Sequence, residues 1–363
     1  MKKVGVLTFQ RSLNYGASLQ AYALVNQIKK NGFEADLIDY RNKKLEMVDS
    51  WKRFLPSKNF VRWGYNLVES PMWYSRKKKF DSFLEYSGVS KKTDQIDDKF
   101  ADSYDKLIVG SDQVWNPKIT NFDKNYLFSN VSDNMKKRSY AASFGVSEIP
   151  EEIKMEYTKL LNQFNYITVR EPEGSKIVQE LTRKSPDVVL DPTLLLEKDE
   201  WIKVIDKHVY NNLPKKYIVI YQRAYSKELV NFAQELSKNL GIELVTVNGN
   251  PRQPLRAKYV LDAGPKDWLY IMNNAEYIVT NSFHGLIFSI NLQKKFYFDL
   301  LDSKFGVNSR LENIIREFKV ENNLISNNKA ANGKLGFSRE AQKILQSRRE
   351  ESNLLLERIL LNE

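Results

Sequence analysis

Cysteine is absent from this 363-residue chain, and histidine occurs only twice. Without thiols there are no disulfides and no thiolate metal sites, which fits a reducing compartment. Two imidazoles are too few donors for a zinc centre of the usual ligands. Magnesium would need carboxylates and a substrate phosphate, and nothing in the pattern calls for it. We therefore expect no resident metal or cofactor. No apolar run approaches transmembrane length, and the run in Met1–Gln10 is too short for a signal peptide, so a cytoplasmic protein is expected. Internal repeats and low-complexity tracts are also missing.

What is present is globular. Apolar and charged residues make up 42% and 28% of the chain, close to ordinary folded proteins. The length favours two domains. The net charge of +11 favours anionic partners. Much of it lies between Trp51 and Phe80, where Lys52, Arg53, Lys58, Arg62 and Arg76 to Lys79 share the segment with Trp51, Trp63 and Trp73, and Glu69 is the one acid. Tryptophan prefers the water–lipid boundary and basic side chains prefer anionic headgroups, so a peripheral contact with the inner membrane face is one expectation. The other is that the aromatics join a core while the charges are solvated. No recognition helix or RNA-binding signature accompanies the charge, and no nucleic-acid partner is expected.

Strand and helix signals alternate. Val4 to Phe9, Ala17 to Lys30 and Ala35 to Tyr40 read as a βαβ opening, the helix stopping at Asn31-Gly32. A basic insertion at 43–90 interrupts, divided by Pro56 and Pro71 into short pieces. Strands follow at Lys106 to Gly110, Ser139 to Ser143, Tyr166 to Val169 and Asp187 to Leu190, with helices at Ile153 to Phe164 and Pro172 to Leu181. A boundary is read at Asp191-Pro192-Thr193. A second alternation runs from Tyr217 to Phe318, and Arg339 to Leu361 reads as a terminal helix. The fold class expected is α/β: two Rossmann-like doubly wound domains, 1–190 and 191–325, facing a cleft, with 326–363 a linker and a helix that packs back across both.

Ligands of open α/β sheets bind beyond the carboxyl ends of the strands, and several polar residues stand there. His284 follows the strand Tyr277 to Thr280, and imidazole is suited to proton transfer near neutral pH; the alternative is a turn or cap. Asn14, Gly16 and Ser18 lie in the first βα turn, where backbone N–H groups can hold a sugar or an anion, or where glycine serves a tight turn. Ser111, Asp112 and Gln113 end a buried strand and suit hydroxyl recognition, Asp112 as a general base or an N-cap, with Trp115 placed to stack on a ring. Arg170 can clamp a carboxylate or phosphate, or pair with Glu171 or Glu173. Gly264 and Lys266 open a helix, a phosphate seat or ordinary capping. His208 reads as a surface residue.

Asn14–Gln20, Val109–Trp115, Val169–Gly174, Leu190–Thr193, Gly264–Trp268, Thr280–Gly285 and Asn308–Arg310 run in the order seen in the polysaccharide pyruvyl transferase family, which the chain resembles over roughly residues 4 to 318. The resemblance implies a glycosyltransferase-B-like fold. It implies transfer of a pyruvyl group from phosphoenolpyruvate to a surface-polysaccharide or cell-wall sugar, often lipid-linked, as a cyclic ketal in bacterial exopolysaccharide synthesis. It casts the first domain as the acceptor side and the second as the donor side, with His284 and Arg170 near the donor. Some members carry arginine where this chain has Ser282, so another cation, Arg223, Arg252, Lys304 or Arg310, would have to supply that donor contact. A sugar-nucleotide glycosyltransferase of the same architecture is the alternative.

Overall fold

A computed structural model describes residues 1–42, 60–205, 213–247, 255–301, 308–328, 333 and 338–361, with backbone alone for 60–69, 308 and 309. His208, Arg252, Lys304, Trp51, Pro56 and the Trp63 side chain lie outside the described residues. The chain divides into two compact units: 1–70, 80–195 and 348–363 form the first, and 71–79 and 196–347 the second. The division falls between Leu195 and Leu196, just beyond the boundary read from the sequence.

In the first unit, β1 (Lys3–Leu7) carries Val4, Val6 and Leu7 fully buried. A turn capped by Asn14 then starts α1 (Tyr15–Lys30), which closes at Asn31, its N–H donating to Gln27 and Ile28 carbonyls. Gly32 follows at φ 83°, a conformation that a Cβ would oppose. Next come β2 (Glu34–Tyr40), α2 (Phe60–Tyr86), β3 (Val89–Thr93), β4 (Lys106–Val109) and β5 (Lys137–Ser139). The sheet order is β3-β2-β1-β4-β5, all parallel. Ala141 takes φ 51° and ends the ladder where the sequence read on to Ser143. Beyond it lie α3 (Glu151–Asn162), β6 (Thr168–Val169), α4 (Pro172–Thr182) and β7 (Asp187–Val188).

The second unit repeats the order. It contains α5 (Lys198–Val204), β8 (Tyr217–Tyr221), α6 (Lys227–Leu240), β9 (Glu243–Val247), β10 (Lys258–Val260), α7 (Pro265–Asn274), β11 (Tyr277–Thr280), α8 (Phe283–Asn291), β12 (Lys295–Phe298), α9 (Asn308–Phe318) and α10 (Arg339–Leu361), whose latter part belongs to the first unit. Its parallel sheet runs β10-β9-β8-β11-β12. Both units are therefore doubly wound, with strand order reversing between β1 and β4 and between β8 and β11.

One feature departs from expectation. Pro71 does not divide the insertion; it lies inside the 27-residue α2. Burial of Trp73, Phe80, Phe83 and Leu84 along that helix, at about 1.5–3 kcal/mol for a large apolar side chain, outweighs a proline cost near 3 kcal/mol. Trp73 on that helix is buried, and Lys79 Nζ stands 3.0 Å from both Asp262 and Asp267. No helix among the described residues is long and apolar enough to cross a membrane.

The end of α10 completes the first unit. Leu355, Leu356, Ile359 and Leu360 join Val4, Val6, Leu24, Ile28 and Leu37 in one core. Ser352 Oγ accepts the Leu190 N–H at 3.0 Å, Arg349 Nε donates to the Leu194 carbonyl at 2.7 Å, and Arg348 to that of Val188 at 3.0 Å. One helix thus fixes the whole 188–194 segment.

Lys137 of β5 is buried, its Nζ 2.7 Å from Gln163 Oε1. Burial pushes its pKa down to about 8, against the pull of Asp98 and Asp133. A lysine depressed on folding costs stability below its folded pKa, and the cost fades as pH rises toward the unfolded value. Lys137→Met should therefore gain in Tm relative to the parent near pH 7, and the gain should shrink between about pH 8 and 10.5. A gain that is flat across that range in thermal melts would remove the charge from the argument.

Candidate functional site

The reversal point of the first sheet is lined by a buried polar network. Gln20 of α1 donates to Thr8 Oγ1 at 2.8 Å and accepts the Ser111 N–H at 3.1 Å, while Thr8 donates to the Ser111 carbonyl at 3.0 Å. These contacts lock the end of β1 to the end of β4. Gly110 sits at φ 121°, where a Cβ would collide with the Tyr140 carbonyl. The chain then reaches Asp112 at φ 66°, a left-handed conformation that aspartate tolerates better than most residues.

Arg170, at the end of β6, is the hub. Its Nη1 donates to Asp191 Oδ2 at 2.9 Å, its Nε faces Glu171 Oε2 at 3.4 Å, and its Nη2 lies 4.0 Å from Asp112 Oδ1. Ser111 Oγ donates to Asp191 at 3.1 Å and accepts the Asp112 N–H at 2.6 Å. Thr193 holds the other Asp191 oxygen through its N–H and hydroxyl, and Ser143 donates to Glu171. Burial works against the guanidinium charge, but Glu171, Asp191 and Asp112 more than compensate and raise its pKa. Three carboxylates facing one buried cation make a poor receptor for a further anion. The ion pair with Glu171, the alternative to the donor clamp, is present, beside the stronger one with Asp191. Asp112, with one oxygen accepting the Gln113 N–H at 2.8 Å, is the group of this cluster that stands at the sheet's reversal point.

The other first-unit candidates divide. Asn14 Oδ1 accepts from the Gly16 and Ala17 N–H groups at 3.0 and 3.4 Å, so Asn14 caps α1 and the Gly16 amide is engaged within the chain. Trp115 is no stacking platform. It is 1% exposed, its Nε1 donates to the Tyr126 carbonyl at 3.0 Å, and its ring packs on Phe144 and Phe164. Ser111 is fully buried and serves the network, and Gln113 accepts from Asn116 at 2.8 Å. Glu171 and Asp191 were missed as site residues. In the sequence Glu171 reads as an ion-pair partner and Asp191 as part of a domain boundary, and the segments that hold them enter the family resemblance without a role for either side chain.

The second unit's reversal point is built on different chemistry. Asn281 Oδ1 accepts the Arg223 N–H at 2.8 Å, and its Nδ2 donates to the Ala224 carbonyl at 2.7 Å, tying the end of β11 to that of β8. Ser282 Oγ caps α8, accepting the Gly285 N–H at 3.4 Å. His284 follows in the first turn, largely buried and edge-on to Phe283 at 5.2 Å. Burial pushes the Tyr221 hydroxyl up, opposed by Arg76, by a hydrogen bond with Ser282 and by Arg223. Asp299, at the end of β12, is raised by burial and accepts from Ser226 at 2.9 Å.

The start of α7 is not an open phosphate seat. The Gly264 N–H donates to Asp267 Oδ2 at 2.8 Å, and a Cβ on Gly264 would lie 2.5 Å from that of Lys79. Gly264 is thus the residue that lets α2 approach. Lys266 is half-buried on the helix's first turn, and Arg310 half-buried on α9. Arg170, Asp112 and the acceptor candidates belong to the first unit, and His284, Ser282, Gly264, Lys266 and Arg310 to the second.

No curated protein matches the sequence. Among solved structures, UDP-GlcNAc 2-epimerase from Methanocaldococcus jannaschii is 12% identical with full coverage of both chains and a TM-score of 0.48. The Neisseria meningitidis UDP-GlcNAc 2-epimerase is 11% identical, also over both full chains, at 0.48. Spinosyn rhamnosyltransferase SpnG is 10% identical over 99% of each chain, at 0.46. The family model of the polysaccharide pyruvyl transferases, in contrast, matches residues 14–298, a span from the Asn14 cap of α1 to the end of β12. The chain belongs to the polysaccharide pyruvyl transferase family.

Proposed function

We propose that the protein transfers the pyruvyl group of phosphoenolpyruvate to a sugar of a surface-polysaccharide or cell-wall glycan precursor. The product is a cyclic ketal on two hydroxyls, and phosphate is released. A proton delivered to the donor's methylene carbon makes the adjacent carbon an oxocarbenium-like electrophile. One sugar hydroxyl adds there and loses its proton to a base, the carbon–oxygen bond to phosphate breaks, and the second hydroxyl closes the ring as its proton passes to the departing phosphate. His284 is the acid.

The observation that carries this reading is the placement of His284 in the first turn of α8, beside the carboxyl end of β11. His284 thus stands where an open sheet takes its ligands. The test is phosphate release from phosphoenolpyruvate in the presence of lipid-linked or nitrophenyl sugars. The expected product has the mass of acceptor plus pyruvic acid less one water. Turnover of nucleotide sugars, with none of phosphoenolpyruvate, would replace the proposal with glycosyl transfer.

A further inference from the structure

We infer that Arg223 holds an anionic group of the donor, and that Asn281 is the residue that positions it. The inference deepens the proposed function and rests on it for the donor's identity. Arg170, the cation of the first unit's reversal point, is already faced by Asp191, Glu171 and Asp112. The second unit's reversal point differs. Arg223 stands just beyond the end of β8, and its side chain is exposed. Among the described residues its guanidinium forms no ion pair and no hydrogen bond.

The backbone that carries this side chain is fixed. Thr280 of β11 lies opposite Tyr221 of β8, the last rung of that pairing. Beyond it the Asn281 side chain takes over, accepting the Arg223 N–H at 2.8 Å and donating to the Ala224 carbonyl at 2.7 Å. Asn281 is 1% exposed, so water competes little for either bond. Thr280 Oγ1 adds a further tie, donating to the Tyr221 carbonyl at 2.6 Å and accepting the Ser282 N–H at 3.0 Å. The same segment runs on through Ser282, the cap of α8, to His284. A loop ordered in advance loses less entropy when a ligand binds. Two acids stand near in the fold: Glu228 and Asp299 face the Ser226 hydroxyl at 3.3 and 2.9 Å, and neither forms an ion pair with Arg223.

A guanidinium presents a planar fork of donors that matches a phosphate or a carboxylate. Phosphoenolpyruvate carries one of each. The other basic candidates of this unit stand differently. Lys266 and Arg310 each already interact within the chain, and Arg252 and Lys304 lie outside the described residues.

The test is calorimetric titration of the full chain with phosphoenolpyruvate and, in parallel, with inorganic phosphate. Arg223→Gln should weaken phosphoenolpyruvate binding by about tenfold or more and leave Tm unchanged. A like loss for inorganic phosphate assigns the phosphoryl group to Arg223, and a loss confined to phosphoenolpyruvate assigns the carboxylate. Lys227→Gln, which removes an exposed charge four residues on, should bind as the parent does. Asn281→Asp keeps an acceptor for the Arg223 N–H but loses the donor to Ala224. It should weaken binding in the parent and add little in the Arg223→Gln background, a non-additivity that a merely structural residue would not show. Unchanged affinity in Arg223→Gln overturns the inference while leaving the proposed function intact. So does an equal loss in Lys227→Gln, which would mark a diffuse effect of charge. Additive losses remove Asn281 as the positioning residue. Phosphoenolpyruvate that binds through Arg223 without being turned over supports the seat and removes the transfer reaction. A parent protein that binds neither probe removes both.

Discussion

Replacing His284 by glutamine should leave the fold in place and lower pyruvyl transfer by about 100- to 10,000-fold, the usual worth of a positioned general acid. The structure makes the substitution clean. His284 sits in the first turn of α8, with its ring against Phe283, and the cap that starts the helix comes from Ser282 and the Gly285 N–H. Glutamine keeps a polar side chain of similar reach and leaves that cap alone. Gly285 is the residue that cannot vary, because a Cβ there would collide with the Thr280 hydroxyl. Phosphate release by purified His284→Gln, alongside a thermal melt matching the parent, measures the effect. Turnover near the parent value takes the imidazole out of the mechanism.

Arg170→Met should act chiefly on stability. The guanidinium is 3% exposed and faces Asp191, Glu171 and Asp112. Removing one partner of a buried ion pair costs about 3–5 kcal/mol, because the charge left behind is uncompensated. The pH dependence gives the cause away. Without the cation, the buried carboxylate charge is uncompensated, and the deficit shrinks as the pH falls. Denaturant unfolding should show a large deficit relative to the parent at pH 7 and a smaller one at pH 5. A variant as stable as the parent at pH 7, but with weakened phosphoenolpyruvate binding, would return Arg170 to the donor.

The sequence carried the elements with long apolar periodicity. Tyr277 to Thr280 and Arg339 to Leu361 have the same bounds in the structure. It did not carry β3 and β10. Val89–Thr93 and Lys258–Val260 are short edge strands whose side chains are mostly only partly buried, and they follow neither the alternation nor the apolar run by which strands are recognised. The long α2 was hidden because Pro71 reads locally as a breaker, while the burial that overrides it is tertiary. At the site, positions were legible and partners were not. His284, Asp112 and Arg170 stand at strand ends as read, but that Arg170 would be surrounded by acids depended on Asp191, 21 residues away along the chain. Trp115 shows the same limit: its neighbours at a strand end suggested an open ring, and the aromatic side chains that enclose it come from distant segments.

The first unit is assembled from stretches separated by the whole of the second, with its last stretch beginning at Arg348. Ser352 and Arg349 grip the Leu190–Leu194 segment that carries Asp191. A ribosome delivers the chain from its N-terminus, and domains generally fold as they emerge. Here the order is inverted for part of the molecule: the strands around Asp112 leave the tunnel early but wait for the last helix before their carboxylate cluster is anchored. The second unit's reversal point, made wholly from earlier sequence, is complete first.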